Sequence, residues 1–195
     1  MTEHVLPRAS YRDVLAAPPT MVAEVVHGQL HLAPRPDDAH ARVASMLGGL
    51  LIGRFGFSGA GGPGGWRIFV EAELHLGDEP DIVVPDLAGW HRERMSEVPE
   101  TPYIEEAPDW VCEVLSPSTE ALDRTEKMDV YLQAGVTHLW LIAPESQTLE
   151  VYQVAGQAEE QGRRWVHTAT HAGRAAIRVE PFAGVALDLH MLWPR

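Results

Sequence analysis

The sequence predicts an α/β fold, a mixed β-sheet with helices on its faces. Three observations carry that prediction. Val43, Met46, Leu47, Leu50 and Leu51 recur at helical spacing within residues 39–54. Residues 137–143 form an apolar run without alternation, as expected of a central strand covered on both sides. The elements follow the order helix, strand, strand, strand, helix, strand, so that three strands neighbour one another and a fourth is reached through a helix.

Each element has its own signal. Residues 9–17 read as a short helix with Ser10 as N-cap, ended by Pro18-Pro19. Residues 21–33 alternate around His27-Gly28 and read as a hairpin with a tight turn. Asp37-Asp38 precede the helix over 39–54, which a Gly-rich stretch, Gly59 to Gly65, closes. That stretch reads as a flexible connection rather than a phosphate loop, since no Lys-Ser/Thr follows it and no strand leads into it. Residues 66–76 alternate as one strand, with Ile68, Val70, Ala72 and Leu74 on one face. Residues 82–90 and 109–115 are the second and third strands, joined by a charged, proline-bearing surface loop. Thr119 to Ala134 reads as a helix with acids early and Gly135 at its end. After Pro144 the tail is rich in strands, at 149–154, 164–170 and 175–179. Nothing marks a domain boundary, and residues 1–195 are expected to form a single domain.

Composition narrows the function classes. The chain has 195 residues, 45% hydrophobic and 22% charged, which suits a folded domain with a real core. A formal net charge of −13 argues against a broad basic face, although local cations and bound metal can reverse the field at a site. The single cysteine, Cys112, excludes an internal disulfide and fits a reducing cytoplasm. Met1 to Ser10 contain no signal-peptide run, and no window approaches the roughly 20 apolar residues of a membrane span. A cytoplasmic protein is expected.

The chemistry concentrates in two apolar runs that each carry an acid. Residues 108–119, Pro-Asp-Trp-Val-Cys-Glu-Val-Leu-Ser-Pro-Ser-Thr, place Glu113 inside a strand, and a charge there is costly unless something pairs with it. Residues 81–87, Asp-Ile-Val-Val-Pro-Asp-Leu, deliver Asp86 in the same manner. Acids late on adjacent strands converge at one sheet edge, where open α/β sheets bind ligands. A following helix carries Lys127. Such a set suits phosphodiester hydrolysis assisted by Mg²⁺ or Mn²⁺: Asp86, Glu113 and the backbone carbonyl of Val114 as metal ligands, with a lysine to orient or deprotonate the attacking water and offset developing charge. Asp81 is the rival Pro-Asp acid. Ser116, Ser118 and Thr119 read as turn and N-cap, Tyr131 as packing over the Lys127 stem, and the histidines His27, His31 and His40 lack zinc-ligand spacing.

These residues resemble the Uma2 family (once a domain of unknown function, DUF820) within the PD-(D/E)XK nuclease superfamily. The likeness runs through residues 23–30, Val84-Pro85-Asp86-Leu87, residues 108–119, Asp123 with Lys127, and Tyr131 through Gly135-Val136 to Trp140-Leu141-Ile142. It spans about Tyr11 to Trp193. The resemblance implies a restriction-endonuclease-like core and metal-dependent cleavage of DNA. Asp86 takes the place of the Pro-Asp acid and Glu113 that of the second acid. The lysine usually found two residues after that acid is absent, Leu115 standing there, and Lys127, fourteen residues beyond Glu113, replaces it from the helix. Glu24 matches a family acid and is expected to approach the metal from the hairpin, with Asp123 orienting Lys127 at i, i+4. His27, Gln29, His138 and Ala143 depart from the family pattern. A homodimer is expected, since duplex cleavage needs two sites. Leu115 and the net charge motivate the alternative, a nuclease-fold binding module with weak or lost catalysis. A two-carboxylate glycoside hydrolase leaves the lysine helix without a role.

Overall fold

The computed structural model describes residues 7–57, 62–156 and 162–193. Helix α1 (Tyr11–Leu15) follows Ser10, whose amide and hydroxyl donate to the Asp13 carboxylate at 2.8 and 2.7 Å. Strands β1 (Met21–Val26) and β2 (Gln29–Pro34) form the expected hairpin. Its turn residues, His27 and Gly28, have φ of 49° and 75°, the pair of left-handed conformations that a type I′ turn requires. Helix α2 (Asp38–Leu51) starts on the Asp37 carboxylate, which accepts the His40 amide at 2.9 Å, and runs into one π-helical turn, Ile52–Gly56. Of the Gly-rich connection expected next, residues 59–61 lie outside the described residues, as do residues 1–6.

The next two expected strands are each split between two sheets. Residues 66–76 divide into β3 (Trp66–Val70) and β4 (Leu74–Leu76), and residues 82–90 divide at Pro85-Asp86 into β5 (Asp81–Val83) and β6 (Leu87–His91). The first break falls at Glu71, whose φ of 50° turns the chain out of the sheet while its amide donates to the Asp86 carbonyl at 3.1 Å. The second falls at Pro85, which has no amide hydrogen for a ladder. Strands β4 and β5 join the hairpin in a four-stranded sheet of order β2-β1-β5-β4.

The larger sheet takes β7 (Trp110–Val114), β8 (His138–Ala143), β9 (Thr148–Ala155) and β10 (Arg164–Ala172) in the order β10-β9-β8-β7-β6-β3. Only β7 and β8 run parallel within it, Glu113 lying opposite Leu141. The sheet is therefore mixed, as expected. Between β7 and β8 the chain makes one helical run: α3 (Glu120–Leu122), a π-helical turn Asp123–Lys127, and α4 (Met128–Ala134), closed by Gly135 at φ 100°. Two short strands, β11 (Ala176–Ile177) and β12 (Leu187–Asp188), and a 3₁₀ turn Leu189–Met191 end the described chain.

Alternation along β7 and β8 sends side chains to two apolar layers. Trp110, Cys112, Val114, Trp140 and Ile142 pack against α2 and the C-terminal segment. Val111, Leu139 and Leu141 pack against α4 and the smaller sheet. Full burial of an aliphatic side chain such as Leu139 or Ile142 contributes about 1.5–3 kcal/mol. Glu113 points into the second layer, where it is 2% exposed. Among the described residues no helix is long and apolar enough to cross a membrane.

Candidate active site

Glu113, 2% exposed, is held by the Lys127 ammonium at 2.9 Å and by the Tyr131 hydroxyl, which donates to the same oxygen at 2.5 Å. The π-helical turn puts Asp123 and Lys127 at its two ends, both facing the sheet, and Asp123 lies 3.3 Å from the ammonium. Such single π turns recur at functional sites because they re-aim side chains within a helix. From the smaller sheet, Glu24 on β1 brings its carboxylate to 3.0 Å from Lys127 and accepts the Val84 amide at 2.7 Å. Lys127, 3% exposed, thus sits among three carboxylates.

Asp86 stands just before β6, at the end of the large sheet where β7 finishes. It was expected late on its strand. Because β6 and β7 are antiparallel, a residue leading into one meets a residue near the end of the other. One Asp86 oxygen accepts the Val114 amide at 2.7 Å and the other lies 2.5 Å from His40 Nε2. Glu24, Asp86, Glu113, Asp123, Lys127 and His40 all line one cleft of about 690 Å³, with Glu71 and Glu73 also on its wall. Asp81 does not line it and instead meets Arg8 at 3.4 Å.

The electrostatics follow from burial. Burial works to lower the Lys127 pKa, but the carboxylates of Glu113 and Glu24 outweigh it and hold the amine well above its ordinary value, so it is an ammonium. Burial pushes the Glu113 carboxyl up, Lys127 opposes that, and the neighbouring acids Asp123, Asp86 and Glu24 add to the rise. Asp123 is raised for the same leading reason. Three buried carboxylates thus share one lysine, and a fourth, Asp86, lies beside His40.

Among the described residues no three His, Cys, Asp or Glu side chains form a metal-holding group. Mg²⁺ needs no such group, since it takes one or two carboxylates and keeps several waters. The hard oxygens of Asp86 and Glu113 are the donors such an ion prefers.

Two contacts escaped the sequence reading. Tyr131 was expected to pack on the lysine stem, and its hydroxyl instead reaches Glu113; the i, i+4 spacing from Lys127 was the available signal. His40 shows only a lack of zinc-ligand spacing in the sequence, and it lies 46 positions from Asp86, so no local pattern could pair them. Thr119 occupies the expected N-cap, but its side chain makes no capping bond there; the Ser116 hydroxyl bonds those of Ser118 and Thr119 at 2.9 and 3.0 Å.

Residues 9–190 match the Uma2 family, described as "putative restriction endonuclease". The chain belongs to the Uma2 family. Among solved structures, it is similar to a "putative nuclease belonging to DUF820" from Anabaena variabilis, with 23% identity and a TM-score of 0.68 over 94% of this chain and 97% of that one. That likeness is one of fold. No curated protein matches the chain.

Proposed function

We propose that this Uma2 protein is a divalent-metal-dependent nuclease that hydrolyses phosphodiester bonds in DNA. The observation that carries the reading is the buried Lys127 ammonium, 2.9 Å from Glu113 in the cleft that Asp86 also lines. Asp86, Glu113 and the Val114 carbonyl would hold Mg²⁺ or Mn²⁺, which supplies a Lewis acid for the phosphate and an activated water. Lys127, already protonated, is a donor rather than a base: it orients the attacking water and offsets charge gathering on the phosphate oxygens. Glu24 and Asp123 hold the ammonium in place, and Tyr131 fixes the Glu113 carboxylate. Cleavage of both strands of a duplex asks for two such sites, which a homodimer supplies, and the buried Cys112 thiol suits the cytoplasm.

The test is cleavage of plasmid and single-stranded DNA with and without Mg²⁺ or Mn²⁺. Activity should require the ion and vanish in Glu113→Ala. Metal-independent cleavage, or an undiminished variant, rejects the mechanism. A protein that neither cuts nor binds Mn²⁺ in calorimetry is the binding module instead.

A further inference from the structure

His40 has no part in the proposed chemistry, yet it is the one side chain of α2 that reaches Asp86. It is buried, 8% exposed, on the first turn of the helix. Its backbone is fixed by the Asp37 cap at 2.9 Å, and its Nε2 lies 2.5 Å from Asp86 Oδ1. Its Nδ1 is buried with no hydrogen-bond partner. A carboxylate only accepts, so Nε2–H donates to Asp86. The other oxygen of Asp86 accepts the Val114 amide at 2.7 Å. Asp86 is therefore gripped once on each oxygen, by a strand amide and by a helix side chain. Neither grip uses up an oxygen, because each keeps a second lone pair.

We infer that His40 is a positioning residue that sets the plane of the Asp86 carboxylate. A carboxylate held by the Val114 amide alone can swing about that single bond, whereas one held on both oxygens presents its remaining lone pairs in one direction. That direction decides whether Asp86 and Glu113 aim at a common point. The inference rests on the reading of Asp86 as a ligand for a divalent ion. Groups that orient a ligating side chain are commonly worth about 10–100-fold in metal affinity.

Three proteins test it: the parent, His40→Leu, which keeps bulk without a donor, and His40→Gln, whose side-chain amide reaches about as far as Nε2. Mn²⁺ titration by calorimetry should give a Kd raised about 10–100-fold in His40→Leu, with His40→Gln restoring most of the loss. A metal-free readout accompanies it, amide hydrogen exchange at Val114. That amide should exchange faster in His40→Leu, as Asp86 swings, and at the parental rate in His40→Gln. Equal Mn²⁺ affinity in parent and His40→Leu, or equal weakening by both substitutions, overturns the positioning role. A parent that takes up no Mn²⁺, with Val114 protected only when a donor stands at position 40, overturns the metal reading while leaving the His40 grip in place. Val114 exchange indifferent to position 40 overturns the grip itself.

Discussion

Replacing Lys127 by Met keeps the unbranched stem, one atom shorter, and deletes the charge. The ammonium is 3% exposed and lies 3.0, 2.9 and 3.3 Å from Glu24, Glu113 and Asp123. Removing one partner of a buried ion pair strands the other, at about 3–5 kcal/mol. With a urea slope of about 2–3 kcal/mol per molar, the unfolding midpoint should fall by roughly 1–2.5 M. The loss depends on pH. Glu113 and Asp123 have raised pKa values in the folded protein, chiefly through burial, and the lysine that opposes the rise is gone in the variant. A carboxyl whose folded pKa is raised contributes stability below its unfolded value, near about 4.3 for glutamate, and loses it as pH rises through the folded value. The penalty of Lys127→Met should therefore be largest at pH 8 and shrink toward pH 5. Mg²⁺ should return part of it, about 2.7 kcal/mol at 100 times its Kd, by supplying the missing positive charge. Urea melts at pH 5 and pH 8, with and without Mg²⁺, measure all three effects. A midpoint that does not move, or a loss that is the same at both pH values or greater at pH 5, refutes the account of the cluster.

Tyr131→Phe removes the hydroxyl that donates to buried Glu113 and should cost about 1.5–3 kcal/mol in a urea melt, the range for hydrogen bonds to charged groups. Gly135→Ala forces a side chain onto a residue at φ 100°, with its methyl 3.4 Å from Arg163 Nη1. It should cost about 1–2 kcal/mol and leave the proposed cleavage of DNA unchanged, which a melt and a nuclease assay on one preparation would check.

What the sequence disclosed depended on how local the signal was. The apolar run at β8, the α2 periodicity and the Gly135 stop are each decided by their own residues, and they stand where expected. The gathering of Asp86, Glu113 and Lys127 in one cleft was legible too, because a costly charge in an apolar strand announces a partner. The division into two sheets was not. Alternation of period two continues through Glu71 in residues 66–76, and an apolar run leads up to Pro85 in residues 82–90, so each looks like one strand although the chain changes sheets. The helix over 119–134 read correctly as helical, but its π turn, which aims Asp123 and Lys127, depends on tertiary contacts that no propensity records. The His40 contact with Asp86 has the same origin.

The bond from Glu24 to Lys127 ties a hairpin strand to the helix on the larger sheet, and so the proposed active centre straddles a joint. If the hairpin lifts away while the large sheet stays intact, Lys127 loses one of its anchors and turnover stops in a molecule that remains mostly folded. Heating should then silence the enzyme several degrees before the bulk far-ultraviolet signal collapses, and cooling should restore it. Catalytic output would serve as a thermometer for the docking of one small piece of chain rather than for the survival of the whole.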